Sequence, residues 1–254
     1  MSKLIPSFDS IPIDIWKIIF NMLEFEQKIM LISTCKKFRK ELIITNLWDI
    51  NDNYLNNLTT DILRYSIFKN ITSLNASYNE NITDVSFLKS LKKLNAWGTC
   101  GIDQNGIKNL DLVELNAGNN TKIINVSFMK SLKKLNAYFL CGIDQKGIKD
   151  LDLVEFCASY NKNITDVSFM KSLKKLIAYC LCGINQDGIK GLNLIELDAG
   201  NNANIFNVSF MKSLKKLNAT GSCGIRWKGI HGLNLGVLYV TQNKNFFDLN
   251  HLKN

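Results

Sequence analysis

Histidine is nearly absent from this chain of 254 residues. His231 and His251 are the two there are, and neither is patterned with a nucleophile or carboxylate as acid–base or covalent catalysis needs. No P-loop and no G-x-G-x-x-G occurs, and cysteine and histidine make no zinc constellation. Catalysis, a metal and a cofactor are therefore not expected. Long apolar runs are missing as well: none approaches the roughly 18 residues of a membrane span. The opening MSKLIPSFDS lacks the apolar core of a signal peptide, so no membrane partner is expected and the cytoplasm or nucleus is the expected compartment. The seven cysteines are odd in number and include no C-x-x-C pair, which suits free thiols better than a disulfide framework. Sequons at Asn81, Asn125 and Asn163 are what an asparagine-rich chain makes by chance. Proline is scarce too. Pro6 and Pro12 both fall within residues 1–50, so that segment is built by rules of its own.

Positive charge is what the chain has in excess, at a formal net +9. It is unevenly placed: residues 1–50 carry seven Lys/Arg against six Asp/Glu, residues 201–254 seven against one. Such a basic end can attract an acidic partner or nucleic acid. Lysine also simply solvates the convex surface of a repeat protein, the reading preferred here, and nucleic acid is not expected as a partner. At 46% hydrophobic and 21% charged the composition is that of an ordinary folded protein.

Repetition dominates the rest. LKKL(N/I)A places Leu94, Leu135, Leu176 and Leu217 at steps of 41 residues, and an interleaved motif places Leu74, Leu115, Phe156, Leu197 and Leu238 at the same step. The 41-residue period is thus two half-units of 20 and 21 residues, here called A and B, beginning at 71, 91, 112, 132, 153, 173, 194, 214 and 235. Both read L-x-x-L-x-A, then two or three residues, then isoleucine. This pattern resembles the leucine-rich repeat, whose period runs from about 20 to 29 residues. The resemblance implies a short strand at each L-x-x-L-x-A, parallel stacking of nine strands, and burial of each apolar face by its neighbours. The A-type return (ITDVSFLKSL and variants) is expected to make one 3₁₀ or α turn. Asp84, Asn125, Asp166 and Asn207 would cap it, with Asp103, Asp144 and Asn185 in the matching B-type place and Arg226 breaking that series.

Two columns carry chemical groups. Asn79, Asn120, Asn161, Asn202 and Asn243 end the A strands, where a leucine-rich repeat uses the amide to satisfy buried backbone groups. Cys100, Cys141, Cys182 and Cys223 are the B-type counterpart. Same-type strands lie roughly 9–10 Å apart, beyond disulfide reach, so these are expected as buried thiols.

The strand residues facing away from the core point to recognition. One row alternates in sign: Lys93, Glu114, Lys134, Glu155, Lys175, Glu196, Lys216. The next places Trp97, Tyr138 and Tyr179 on alternate strands, between Gly118, Ser159 and Gly200. Aromatics with room around them suit a protein-binding surface, with Lys93, Lys134 and Lys175 as flanking contacts. They can also merely cover their small neighbours, and both readings stay open. VSFMKSLKKL recurs almost unchanged while this face varies, as in a binding array or in surface drift.

At the other end, IPIDIWKIIFNML reads as a helix entered at Pro12, with Ile15, Ile18, Ile19, Met22 and Leu23 in one apolar stripe. A second helix is expected after EFEQ, with Ile29, Leu31, Ile32, Cys35 and Phe38 on or near its buried side and KKFRK closing it. Residues 8–50 resemble an F-box, through Ile11-Pro12-Ile13-Asp14-Ile15, Ser33-Thr34-Cys35-Lys36 and the trailing Leu47-Trp48. Isoleucine, aspartate and Ser33-Thr34 depart from that family's usual residues. The resemblance implies docking to a Skp-type adaptor held by a cullin, through Ile11, Pro12, Ile15, Ile19, Leu23 and Leu31. It extends to repeat-bearing F-box proteins of large viruses of amoebae, for which the compartment would be the host cytoplasm. The alternative is a helical cap that covers the first repeat.

The expected fold is α/β: an F-box-like helical domain (1–50), a connector and cap (51–70, with 59–70 as the lid), and a leucine-rich-repeat solenoid (71–254). The expected function is that of the non-catalytic substrate receptor of a Skp–cullin–F-box ubiquitin ligase, whose protein substrate is not legible. The alternative is a stand-alone leucine-rich binding protein, an inhibitor or scaffold.

Overall fold

A computed structural model describes residues 11–246. The expectations for residues 1–10, for His251 and for the tail of the ninth unit lie outside them.

Three short helices open the described chain: α1 (Ile13–Met22), α2 (Phe25–Thr34) and α3 (Lys36–Glu41). The Pro12 carbonyl accepts the first backbone bonds of α1, from Ile15 and Trp16 at 3.1 and 3.3 Å. α2 begins with a capping box in which Glu24 N–H donates to the Gln27 side chain at 3.0 Å. The expected second helix is in fact two. Cys35 is extended (φ −153°, ψ 160°), and its sulfur accepts the Phe38 N–H at 3.5 Å, so KKFRK lies in a separate helix α3 rather than closing α2. The sulfur cap lets Phe38 turn back onto Trp16, ring centroids 4.8 Å apart.

One parallel sheet of ten strands follows, paired in sequence order. Nine are the expected repeat strands: β2 (Ser73–Asn75), β3 (Lys93–Asn95), β4 (Glu114–Asn116), β5 (Lys134–Asn136), β6 (Glu155–Cys157), β7 (Lys175–Ile177), β8 (Glu196–Asp198), β9 (Lys216–Asn218) and β10 (Val237–Tyr239). The tenth, β1 (Asn46–Leu47), comes from upstream of the repeats and pairs Leu47 with Leu74. Each repeat strand is three residues long, and through β9 each has its central side chain buried and its two neighbours turned to the other face, the alternation that L-x-x-L-x-A imposes. The alanine column from Ala76 to Ala219 is wholly buried. The molecule is thus a parallel-strand solenoid of about eight turns preceded by a few helices, compatible with a leucine-rich repeat.

The two half-units return differently. B-type returns hold 3₁₀ turns at Asn105–Ile107, Lys146–Ile148, Asp187–Ile189 and Trp227–Ile230. A-type returns hold only hydrogen-bonded turns, against the expected 3₁₀ or α turn. The side chains that open the two returns reach differently, although the fourth B-type turn forms without such a cap, after Arg226. Asp103 Oδ1 accepts the N–H three residues on, from Gly106 at 2.9 Å, which starts a 3₁₀ turn. Asp84 Oδ1 accepts from Ser86, two residues on, at 2.8 Å, which makes only a local loop. Gly106 is required where it stands, because a Cβ there would run into the Thr83 carbonyl of the previous return.

Side-chain amides fasten each turn to the last. Asn161 Nδ2 donates to the Ala137 and Ile143 carbonyls (2.9 and 3.0 Å), and its Oδ1 accepts from Asn163 N–H (3.0 Å). Asn120, Asn202 and Asn243 repeat this at the same offsets, so the asparagine column is structural as expected. A glutamine column does a similar task on the convex side: Gln145 Oε1 accepts Thr165 and Asp166 N–H (both 2.9 Å) while Nε2 donates to the Asp166 carbonyl. The connector imitates a turn of the solenoid. It holds helices α4 (Asp52–Asn57) and α5 (Thr60–Leu63); the carbonyls of Leu55 in α4 and of Leu58 just after it accept from Asn79, and Thr60 Oγ1 replaces the glutamine as acceptor for Thr83 and Asp84. At the far end Leu233, Leu235, Leu238 and Val240 are only partly buried, where their counterparts in inner turns are fully so.

Candidate functional site

Two surfaces collect the expected site residues. The first is on α1. Its inward face is Trp16 and Phe20, both buried. Its other face is also apolar: Ile15 is 46% exposed, Ile18 53% and Met22 79%, at helical i, i+3, i+7 spacing, and Met30 of α2 adds 71%. Of the residues named for adaptor docking, Pro12 and Ile15 are exposed, while Ile11, Ile19, Leu23 and Leu31 are half-buried at the base of this face. Reading the stripe as one set missed that Trp16 and Phe20, not the isoleucines, anchor the helix. The buried faces of α2 and α3 are Ile32 and Phe38.

The second surface runs along the strands. The alternating charges form ion pairs: Lys93–Glu114 (3.4 Å), Lys134–Glu155 (2.8 Å), and Glu196 held between Lys175 (3.3 Å) and Lys216 (3.0 Å). Glu196 is accordingly held below the usual carboxylate range by its two lysines, against the opposing and largest single effect, partial burial. Lys134 is raised, first by its hydrogen bond to Glu155. Lys93 has a further partner in Trp48, which reaches over the sheet from the end of β1. The strand residues between β4 and β7 line a shallow groove of about 320 Å³ that Trp48 closes at one side.

Trp97, Tyr138 and Tyr179 are half-buried, and the gaps expected between them are filled. Tyr138 leans across Gly118 and Tyr179 across Gly200, so closely that a Cβ on either glycine would strike the ring. Trp97 and Tyr138 stack at 6.2 Å between centroids, 21° between planes. Burial pushes the Tyr138 phenol up. The Trp97 indole N–H lies near enough to that phenol to oppose the rise, yet its geometry falls short of a hydrogen bond, and the nitrogen is buried unpaired.

Three further rings complete what the sequence reading saw only in part. Tyr78, Phe139 and Tyr160 stand one position beyond the first row, each at positive φ (58°, 57° and 59°). With them the series is continuous: Tyr78–Trp97 4.6 Å, Trp97–Tyr138 6.2 Å, Tyr138–Phe139 5.1 Å, Phe139–Tyr160 4.7 Å, Tyr160–Tyr179 6.0 Å. Asn201 Nδ2 donates to the Tyr179 hydroxyl at its end (2.9 Å). Leu140 (74%) and Leu181 (64%) project beside the rings. Of the other copies, four put Gly98, Asn119, Asn201 and Gly221 at this corner, residues that take positive φ at low cost, and two put Cys180 and Gln242 there, both at φ 61°. Large exposed rings at a strained position, at the rim of an otherwise regular solenoid, are an apolar surface that folding does not call for. The signal was in the sequence as three rings in a column otherwise of Gly, Asn, Cys and Gln.

The four cysteines of the repeat column are buried free thiols, pushed up by burial to about 11 for Cys100, Cys141 and Cys223 and about 12 for Cys182. They are inert packing groups. Among the described residues no helix is long and apolar enough to cross a membrane. No protein-family model matches the chain, and no curated protein matches it.

Proposed function

We propose that the chain is the substrate-recognition subunit of a Skp–cullin–F-box ubiquitin ligase, docking an adaptor through α1 and α2 and capturing a protein on the aromatic rim. The observation that carries the reading is the two-sided apolarity of α1. A helix that only capped the first turn would need the Trp16–Phe20 face, whereas Pro12, Ile15, Ile18 and Met22 are apolar and face outward. Such a stripe suits a groove in another protein. The chain then acts by effective concentration: binding at both ends brings the substrate's lysines near a ubiquitin-loaded enzyme held elsewhere in the assembly.

The stand-alone binding protein is the second reading, favoured by β1 and the connector, which fit the solenoid as a cap. Co-expression with a Skp-type adaptor separates them. Recovery of the adaptor with the wild-type chain, lost on combining Pro12→Ala with Ile15→Asp, is the expected result. No recovery with either form removes the F-box reading, and equal recovery with both removes this docking face.

A further inference from the structure

The rim opposite the aromatic rings, where the strands begin, is a row of exposed lysines. Each A-type return ends in two of them (Lys89 and Lys92, then Lys130 and Lys133, Lys171 and Lys174, Lys212 and Lys215), and the B-type returns add Lys108, Lys149 and Lys190. Among the described residues, carboxylates at the feet of the strands occur only in the first half, while Asp187 adds one on the return that carries Lys190. Asp111 and Asp152 stand at the foot of β4 and β6, and Asp150 beside the latter. Both foot aspartates have a structural task. Asp111 accepts from Ser131 N–H and Oγ (2.9 and 2.6 Å) and Asp152 from Ser172 (2.8 and 2.6 Å), hydrogen bonds that hold both carboxyls below their usual range.

In the next B unit that task is kept and the charge is gone. Asn193 accepts from Ser213 N–H and donates to Ser213 Oγ, both at 2.8 Å. Asn234 follows one unit on. The neighbouring corner runs Asn109, Asp150, Gly191 and Gly232 (φ 63°, 61°, 73° and 73°), so it is charged in one copy only. Lys171 Nζ and Lys212 Nζ lie over those glycines, 3.8 and 3.6 Å from where a side chain would begin. The substitutions leave geometry alone and remove negative charge. Among the described residues, the two rim positions of these units hold Gly191, Asn193, Gly232 and Asn234 beside Lys171, Lys174, Lys212 and Lys215, while Asp187 precedes Lys190 by three residues on the return.

We propose that this lysine cluster binds an acidic polypeptide segment of a protein partner, a contact separate from the aromatic rim. This rests on the protein-binding reading above. The cluster spans one 41-residue repeat, about 10 Å at two strand steps, the reach of three or four extended residues. That is short for a nucleic-acid duplex, whose binding draws on about six to ten phosphates. Lysine supplies strongly hydrated point charges without the planar fork that arginine offers a phosphate, and carboxylates on a flexible segment meet such charges with little geometric demand.

The test is fluorescence anisotropy of the full chain with a labelled peptide of alternating aspartate and glutamate, at low and high salt, beside a single-stranded oligonucleotide of equal charge. Changing the five lysines to glutamine should weaken peptide binding about tenfold or more, whereas Lys89, Lys92, Lys108, Lys130 and Lys133 changed together should cost about twofold or less. Asn193→Asp, which can keep the Ser213 contacts, should weaken it about threefold by charge alone. Equal losses from both lysine sets, or no effect of Asn193→Asp, overturn the proposal, as does tighter binding of the oligonucleotide. Adaptor recovery is measured on the same variants. Peptide binding without adaptor leaves the cluster standing and removes the ligase reading, and adaptor without peptide does the reverse.

Discussion

The Lys93 ammonium lies 3.6 Å from the centroid of the Trp48 ring, with Glu114 at 3.4 Å. One cation thus joins the end of the helical segment to the second and third repeat strands. Cation–π contacts contribute about 0.5–2 kcal/mol depending on desolvation. Trp48→Ala is expected to cost about 2 kcal/mol in urea unfolding, including lost apolar contact, and Lys93→Gln less than half of that. A Trp48→Ala midpoint indistinguishable from wild type would show the helical segment held by β1 alone.

Asn161 is buried and satisfies three backbone groups. Asn161→Leu should therefore destabilise by about 3 kcal/mol, since each buried group left unpaired costs about 1–3 kcal/mol. Asn163→Leu, at an exposed position one turn residue away, should cost little. Chemical denaturation of the two variants side by side is the measurement, and similar losses would contradict the role.

Phe139 provides a separation of stability from binding. Phe139→Gly loses the stack on Tyr160 but relieves a positive φ worth about 1–2 kcal/mol. Stability should stay within about 1 kcal/mol of wild type, while captured proteins, scored by pull-down mass spectrometry, fall away. Unchanged capture would move the substrate site off the aromatic rim.

The buried thiols set an alkaline limit. A thiol whose pKa is raised on folding from 9.0 to about 11 or 12 keeps its proton in the folded state after the unfolded chain has lost it. Stability is then fully present below pH 9 and falls as pH rises towards 11–12, by up to about 1.4 kcal/mol per pH unit for each thiol. Urea midpoints at rising pH should drop from about pH 9, and Cys141→Ala should flatten the drop. A thiol reagent at neutral pH should label Cys35, Cys157 and Cys180, which are partly exposed, before the other four, and all seven in denaturant.

The register of the solenoid could be read from the chain because its cause is local. A leucine every three residues and an alanine two further on can be buried only by an identical neighbour, so the 41-residue spacing dictates which residues pair, as Leu94 with Leu115. The asparagine and cysteine columns follow from the same periodicity. Other features depend on which groups folding brings together. KKFRK carries no mark in its own pattern of belonging to a separate helix, because the break rests on one sulfur taking the Phe38 N–H. Leu47 becomes a strand residue only because Leu74 waits beside it. Whether Ile15 or Trp16 faces inward was open in a helix apolar on both sides, and Phe38 decided it by giving Trp16 a ring to pack on. Spacing along the strands put three aromatics about 10 Å apart; only the tertiary structure closed the gaps, Tyr138 leaning over Gly118 onto Trp97 and Phe139 and Tyr160 at left-handed corners bridging to Tyr179, with Tyr78 extending the row, since backbone dihedrals at a corner are set by the neighbouring coil rather than by the residue that occupies it.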